Sequence, residues 1–383
     1  MNKKIWLSLA QMSGEEQKYI QEAFDTHWVA PLGPNVNAFE QSLSNYLGHN
    51  KKVVALISGT SAIHLALLQL GVGVGDEVIC QSFTFAASAN PIKYVGANPV
   101  FVDSEEETWN MSPVYLEKAI LDRISVTGRK PKAIIPVHLY GMPANIDEIL
   151  RIATKYQIPI IEDAAEALGS TYKGQKCGTF GEFACLSFNG NKIITTSGGG
   201  ALVCSTQEQS TKTKFYATQA RDEAVHYQHS EIGYNYRMSN VCAGIGRGQM
   251  TVLDSYVARR REIHAIYSSH LSKLPGISFI NNPTSDYQSN FWLTCVQIDP
   301  EKAGFTREDL RIAMEHANIE TRPLWKPMHL QPVFSEDPFY GDGTSERLFN
   351  NGLCLPSSPA LTDDDLDRVI GVVKKLNCSA LTK

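Results

Sequence analysis

Short apolar runs alternate with amphipathic segments from about residue 53 to residue 200 of the chain. The runs predict strands, which are Lys52 to Ser58, Glu77 to Gln81, Pro99 to Asp103, Ala133 to His138, Ile158 to Asp163, Phe183 to Phe188 and Gly200 to Cys204. Between them, apolar residues recur at helical spacing over residues 62–70, 86–95, 113–119 and 146–156. This alternation predicts βα units and an α/β fold with a mainly parallel sheet of seven strands.

The pattern changes after Gly233. Residues 240–270 predict one long helix or a kinked pair, in which glycines at 244, 246 and 248 permit close backbone approach. Beyond Pro275 the pattern predicts strands over 277–280, 291–298 and 320–324, and helices over 306–317 and 362–376. We therefore expect an N-terminal arm and a large α/β domain over residues 1–250. A connecting helix and a smaller C-terminal α+β domain are expected over residues 251–383.

Composition narrows the possible functions. Of the 383 residues, 43% are hydrophobic and 20% are charged, which is typical of a globular chain rather than a disordered one. The formal charge of -5 comes without a basic cluster, so we expect no nucleic-acid partner. No apolar run approaches the roughly 18 to 20 residues that cross a bilayer, and polar Gln11 interrupts the apolar start. Eight scattered cysteines without a C-x-x-C pair predict buried free thiols, no metal site and a cytoplasmic location.

The segment Gly71-Val72-Gly73-Val74-Gly75 resembles a dinucleotide-binding glycine motif. That motif must follow a strand and open a helix, whereas this run closes a predicted helix and precedes the strand that starts at Glu77. We interpret it as a turn.

The segment Ser58-Gly59-Thr60-Ser61 has the opposite context, because it follows a strand and opens a helix. Free backbone N–H groups and hydroxyls converge at such a point and can bind an anion. An ordinary helix cap would look the same, so this motif alone does not separate the two interpretations.

Two further residues stand after predicted strands. Asp163 ends an apolar strand at the sheet edge where α/β proteins bind ligands, although a solvated capping aspartate would fit equally well. Lys192 precedes the glycine run at 198–200, where partial desolvation would favour Schiff-base chemistry, although most lysines are surface groups. An anion cradle, a strand-end carboxylate and an amine, in this order, match the phosphate, pyridine nitrogen and aldehyde of pyridoxal 5'-phosphate.

With these motifs the sequence resembles the sugar aminotransferases of the DegT/DnrJ/EryC1/StrS family, within the aspartate-aminotransferase-like, fold-type I group. The likeness spans nearly the whole chain and is carried by residues 31–33, 58–67, 82–85, 137–141, 162–169, 187–200, 233–240, 321–325 and 354–356.

The resemblance implies a role for each matching position. Lys192 would form the Schiff base with the cofactor, which passes through its pyridoxamine 5'-phosphate form. The other implied cofactor contacts are Asp163 at the pyridine nitrogen, Phe85 on the ring, Gly59, Thr60, Ser61 and Ser187 at the phosphate, and Asn235 reaching the phosphate from the partner subunit of a homodimer. Glu166 would lie beside the ring hydroxyl, where many relatives have Gln.

The likeness is greatest to enzymes that aminate UDP-4-keto-6-deoxy-N-acetylglucosamine in bacillosamine-type pathways, with L-glutamate as amino donor. GDP- and dTDP-sugar relatives share most of the same frame. Substrate contacts are expected from Arg237, Trp325, Lys326 and His329. Two rival classes are dehydratases, which replace the Schiff-base lysine with His and so disagree with Lys192, and non-enzymatic regulators that bind the cofactor.

Overall fold

A computed structural model describes residues 3–48 and 50–381. Its helices are α1 Glu16–Asp25, α2 Pro34–Leu47, α3 Gly59–Gln69, α4 Ala86–Tyr94, α5 Pro113–Thr127, α6 Ile146–Tyr156, α7 Gln207–Ala217, α8 Asn240–Met250, α9 Leu253–Leu271, α10 Pro300–Ala303, α11 Arg307–His316, α12 Thr344–Asn351 and α13 Asp363–Leu381. Its strands are β1 Lys52–Leu56, β2 Glu77–Gln81, β3 Asn98–Val102, β4 Ala133–Ile135, β5 Ile161–Asp163, β6 Thr171–Tyr172, β7 Gln175–Lys176, β8 Phe183–Ser187, β9 Gly200–Cys204, β10 Ile277–Phe279, β11 Tyr287–Gln288, β12 Thr294–Ile298, β13 Arg322–Pro323, β14 Phe339–Tyr340 and β15 Gly352–Leu355.

The central sheet has the strand order β14-β3-β2-β4-β5-β8-β9-β1. Parallel bridges from Ile134 to Ile160 and from Val137 to Asp163 join β4 to β5, and so unite its two halves. Only β9 runs opposite to its neighbours among these strands. The predicted parallel α/β architecture is therefore confirmed. The strand count is corrected, because the two-residue strand β14 extends the predicted seven at the β3 edge.

Both faces of this sheet are buried. In β1, Val53 and Ala55 belong to one hydrophobic cluster, whereas Val54 and Leu56 belong to the cluster on the opposite face. Successive strand residues point to opposite faces, so a strand covered on both sides becomes a continuous apolar run. The predicted strands are continuous apolar runs because both of their faces are buried.

The glycines of α8 allow it to pack tightly. A Cβ atom on Gly246 would lie 2.7 Å from the Phe39 ring of α2, and one on Gly248 would lie 2.8 Å from the backbone nitrogen of Glu16 in α1. The predicted close approach is confirmed. The predicted helix over residues 240–270 is a pair, because α8 ends at Met250 and α9 starts at Leu253.

A second, antiparallel sheet with the order β10-β12-β15-β13 lies in the C-terminal part. Its core includes residues of α9, α11 and α13, and Ile5 of the N-terminal segment joins it through a bridge to Ile319. The expected domain boundary after residue 250 falls in the link between α8 and α9, and it stays a prediction. No helix within the described residues has the length and apolar character needed to cross a membrane.

Candidate active site

A cavity of about 740 Å³ opens where β1, β2, β5 and β8 of the central sheet end. Residues that follow these strands form its floor: Gly59, Thr60, Thr84, Asp163, Glu166, Ser187 and Lys192. Its roof comes from other parts of the chain: Leu7, Ser8, Trp292, Leu293, Glu320, Arg322, Pro323 and Trp325. The volume is typical of a site for a cofactor or drug-sized ligand.

The anion cradle on the floor is the N-terminus of α3. The Ser58 hydroxyl accepts the Ser61 amide at 3.1 Å, and the Ser61 hydroxyl donates to the Ser58 carbonyl at 2.7 Å, which forms a capping box. The amides of Gly59 and Thr60 donate to no described residue, and both residues line the cavity. A Cβ atom on Gly59 would lie 3.0 Å from Cys185 Sγ, so glycine lets α3 start against β8. Free amides at a helix N-terminus favour an anion here.

Asp163 is held at the end of β5 by hydrogen bonds from two directions. Its Oδ2 accepts the Ser88 hydroxyl at 2.6 Å, and its Oδ1 accepts the Ala165 amide at 3.1 Å. Since an ionised carboxylate can only accept, the single hydroxyl proton of Ser88 points to Asp163. The Thr84 hydroxyl, 2.7 Å from Ser88 Oγ, is then the donor to Ser88. This chain fixes the orientation of a buried carboxylate that lines the cavity.

Lys192 lies opposite, in the loop after β8. Its Nζ is 3.1 Å from Glu166 Oε1 and 4.2 Å from the centre of the Trp292 ring. The other carboxylate oxygen of Glu166 accepts the backbone amide of Tyr140 at 2.7 Å. Burial raises the pKa of the Glu166 carboxyl; Lys192 opposes the rise, and the nearby charge of Asp163 adds to it.

Several predicted site residues lie elsewhere. Ser61 does not line the cavity, because its hydroxyl serves the capping box of α3. Asn235 is exposed and pairs with Thr218, away from the cavity of its own chain. Lys326 is exposed just outside the roof. The other predicted cofactor contacts do line the cavity: Gly59, Thr60, Asp163, Glu166, Ser187 and Lys192 on the floor, and Phe85 at its rim.

Two expected substrate contacts need correction. The Arg237 guanidinium is buried and donates to Glu40 Oε1 at 2.6 Å and to the Ala55 carbonyl at 2.9 Å, so it does not reach the cavity. His329 Nδ1 lies 2.6 Å from the Ser82 hydroxyl, and its Nε2 lies 3.1 Å from Glu346. Both side chains join elements of the fold instead of facing a ligand.

The sequence profile of the DegT/DnrJ/EryC1/StrS aminotransferase family matches residues 10–374, which is nearly the whole chain. The chain belongs to this family.

Relatives of this aminotransferase agree with the match. It is 51% identical over 380 residues to the Bacillus subtilis (strain 168) protein named "Putative pyridoxal phosphate-dependent aminotransferase EpsN", covering 98% of this chain and 96% of that protein. It is 38% identical to the GDP-perosamine synthase of Escherichia coli O157:H7, covering 96% of each chain. The solved structure "Putative sugar aminotransferase Spr1654 from Streptococcus pneumoniae, PLP-form" is 27% identical, with a TM-score of 0.89 over 99% of this chain and 100% of that one.

These findings make the protein a pyridoxal phosphate-dependent sugar aminotransferase of fold type I. Its floor fits the cofactor. The free amides of α3, with the Thr60 and Ser187 hydroxyls beside them, suit a phosphate, and the oriented Asp163 carboxylate suits a protonated ring nitrogen. Lys192 supplies the amine within the same cavity. When bound, the cofactor supplies an electron-withdrawing ring that lets an amino group pass between two carbon atoms.

Three contributors to the site were missed by the sequence interpretation. Ser88, in the first turn of α4, stands four residues after Thr84, which precedes the helix, a spacing that could have drawn attention to the pair. The backbone amide of Tyr140 donates to Glu166, and the hydroxyl of Tyr140 accepts the Trp325 amide at 2.9 Å. No local pattern indicated Trp292, because its position against Lys192 depends on residues distant in sequence.

Proposed function

We propose that this aminotransferase transfers the amino group of L-glutamate to the C4 ketone of a nucleotide-linked 4-keto-6-deoxy sugar, with UDP-2-acetamido-2,6-dideoxy-4-hexulose as the substrate. The observation that carries the proposal is the shape of the cavity. Its floor fits the cofactor, and its roof brings Trp325 and Arg322 to the same cavity of about 740 Å³. A nucleotide-linked sugar has a flat base and a charged pyrophosphate that suit an aromatic face and a guanidinium.

On the floor, each chain residue has a proposed task. Lys192 moves a proton at the amino-acid α-carbon and later at the sugar C4, since a tethered amine reaches both sides of the transfer. Asp163 holds the ring nitrogen, and Phe85 covers one face of the ring. The Gly59 and Thr60 amides and the Thr60 and Ser187 hydroxyls hold the phosphate; any part of Ser61 would be indirect, through the shape of the helix cap.

At the roof, the ring of Trp325 lies 5.4 Å from that of Phe85 and 5.1 Å from that of Tyr140, measured between centres. Trp325 and Phe85 line the cavity and offer aromatic faces to a sugar or base, and buried Tyr140 packs against Trp325. The side chain of Arg322 lines the cavity, is 69% exposed and pairs with Glu320. Because it is exposed, its guanidinium can exchange this partner for a ligand at the mouth. We therefore assign the pyrophosphate contact to Arg322, because Arg237 does not reach the cavity.

A GDP-linked 4-keto-6-deoxy sugar is the second candidate, favoured by the 38% identity to GDP-perosamine synthase; a dTDP-linked sugar is the third. The test is an amination assay with L-glutamate and the UDP-, GDP- and dTDP-linked 4-keto-6-deoxy sugars, with Lys192→Ala as the blank. We expect kcat/KM for the UDP sugar to exceed the others by about tenfold or more. Preference for GDP or dTDP would replace the UDP assignment, and amination of none would reject the substrate class.

We propose a homodimer with shared sites as the working unit. Asn235 is exposed, lies away from its own cavity, and stands in a stretch with strongly exposed Ile232 and Tyr227. A two-fold axis would let each chain place Asn235 at its partner's phosphate. Mixing inactive Lys192→Ala with inactive Asn235→Ala should restore part of the activity through hybrid dimers. Proven subunit exchange without recovery would reject the shared site.

A cytoplasmic location belongs to the same proposal. Seven of the eight cysteines are buried or half-buried as free thiols, and the Cys295 and Cys354 sulfurs lie 3.9 Å apart as thiols instead of a disulfide. Free thiols this close persist in a reducing compartment.

A further inference from the structure

Two carboxylates share the floor of the cavity, but their hydrogen bonds differ. Both oxygens of Asp163 accept from groups of the fold, Ser88 and the Ala165 amide. One oxygen of Glu166 accepts from the Tyr140 amide, and the other is in direct contact with Lys192 Nζ at 3.1 Å. Glu166 is therefore the carboxylate to which the reactive amine can pass a proton without moving.

The charges around Glu166 favour such an exchange. The groups facing it are Asp163 at the end of β5, Lys192 after β8, the Tyr140 hydroxyl, and the Cys295 thiol of β12. Among these described groups Lys192 is the cation, and Glu166 itself is 4% exposed. Burial disfavours ions, so it brings a neutral carboxylic acid and a neutral amine closer in free energy to the ion pair. The raised pKa of Glu166 agrees with this balance.

We infer that Glu166 is the proton-exchange partner of Lys192 and makes its amine nucleophilic. In this step an N–H bond of Lys192 breaks, an O–H bond forms on Glu166 Oε1, and the electron pair stays on Nζ. The net charge of the cavity does not change. A glutamine in this place could accept a hydrogen bond but could not take up the proton. The inference rests on the aminotransferase activity and is independent of the sugar.

A purely structural role for Glu166 makes a different prediction. Glutamine has the same shape, and its carbonyl oxygen can still accept the Tyr140 amide, so Glu166→Gln preserves the fold contact. A proton-exchange role is lost in this variant, whereas a packing role is kept. Glu166→Asp retains the acid but withdraws it from Lys192 by about one carbon–carbon bond.

The experiment follows capture of pyridoxal phosphate by the cofactor-free full-length protein, read as the rise of visible absorbance when the cofactor joins Lys192. General acid–base catalysis contributes about 10²- to 10⁴-fold, so we expect capture by Glu166→Gln to be about 10²-fold slower, with Glu166→Asp intermediate. Added formate should accelerate capture by Glu166→Ala in proportion to its concentration, because it can occupy the vacated space and accept the proton.

The matched control is Glu308→Gln. It removes an exposed carboxylate that pairs with Arg311 and does not line the cavity, and we expect its capture rate to stay within about twofold of the parent protein. Capture by Glu166→Gln at the parent rate would overturn the inference. So would slow capture by a folded Glu166→Ala that formate does not rescue. If Glu166→Ala does not fold, Glu166→Gln decides alone. No sugar is present, so an error in the proposed substrate cannot produce either result.

Discussion

The floor and the roof of the cavity are built in different ways. Floor residues follow strands of one sheet and are held by short contacts: Asp163 by Ser88, and Lys192 by Glu166. Roof residues come from separated segments of the chain, and Arg322 among them is largely exposed. Proton transfer needs groups fixed to within fractions of an ångström, whereas recognition of a large ligand tolerates adjustment. The division suggests that the floor determines the reaction and the roof determines the substrate.

The strongest test of this division is Lys192→Ala. Loss of the amine would remove the proposed nucleophile and proton carrier, so we expect turnover to fall by about 10⁴-fold or more. The cofactor should still bind through the α3 amides and Asp163, measured as cofactor content after gel filtration. Lys192→Arg should fail as well, since guanidinium stays protonated. Lys302→Ala, at an exposed surface pair, is the control with parent activity. Substantial turnover by Lys192→Ala would place the reactive amine elsewhere.

Asp163→Asn tests the floor with a smaller change. The amide oxygen of the asparagine can still accept from the Ala165 amide, and its NH2 group can donate to the Ser88 hydroxyl if that hydroxyl turns its proton to Thr84, so the fold should be retained. The negative charge proposed to face the ring nitrogen is lost. Removing one preorganised electrostatic group costs about 10²- to 10³-fold in rate, and we expect this fall in kcat. Steady-state rates with both substrates measure it, with circular dichroism as the folding control. A change in sugar KM alone would contradict the assignment of Asp163 to the floor.

The same division explains which positions could be predicted from the sequence. Asp163 ends the apolar strand β5, and Lys192 lies in the loop after the apolar strand β8. The apolar pattern of the sequence marks both strands, and parallel strands place their carboxyl ends at the same edge of a sheet. Phe85 and the α3 cradle follow the same logic. Strand β14 was missed because its two residues take their conformation from pairing with β3, far away in the chain.

For Arg237 and His329, partners distant in sequence decided the outcome. Arg237 pairs with Glu40, 197 residues away, and His329 with Ser82, 247 residues away. A basic or imidazole side chain near a family motif does not reveal whether its partner is a ligand or a buried group of the fold. Trp325, expected by the same kind of inference, does line the cavity, and its contact with substrate stays a prediction.

The roof is tested by Trp325→Ala. Loss of a flat aromatic contact of about 1.4 kcal/mol corresponds to a tenfold rise in sugar KM. The half-reaction with glutamate should change by less than about twofold, because the floor is untouched. Separate half-reaction kinetics measure the two effects, and Trp325→Phe should recover most of the sugar affinity. Equal damage to both half-reactions would show that floor and roof do not act independently.

Arg237→Ala should affect the fold and not the substrate. It leaves Glu40 buried with Lys214 at 3.1 Å and the Ala55 amide as remaining partners, so we expect the free energy of unfolding to fall by about 3 kcal/mol. Denaturant unfolding measures the loss, and sugar KM at a temperature where the protein is folded should stay within about twofold. A large rise in KM without loss of stability would return Arg237 to the substrate site.

His329→Ala should cost less stability than Arg237→Ala, and it separates the roof from the structure that supports it. The variant removes contacts to the Ser82 hydroxyl and Glu346, and stacking on Phe339 at 3.6 Å between ring centres. Two hydrogen bonds and one aromatic contact predict a loss of about 2 kcal/mol in the free energy of unfolding.

The control is Lys326→Ala, an exposed change three residues earlier, which should alter the free energy of unfolding by less than about 0.5 kcal/mol. Both variants should keep sugar KM within about twofold, measured beside Trp325→Ala. If His329→Ala instead raised sugar KM as much as Trp325→Ala without loss of stability, the roof would extend to His329, and the boundary drawn at Trp325 would be wrong.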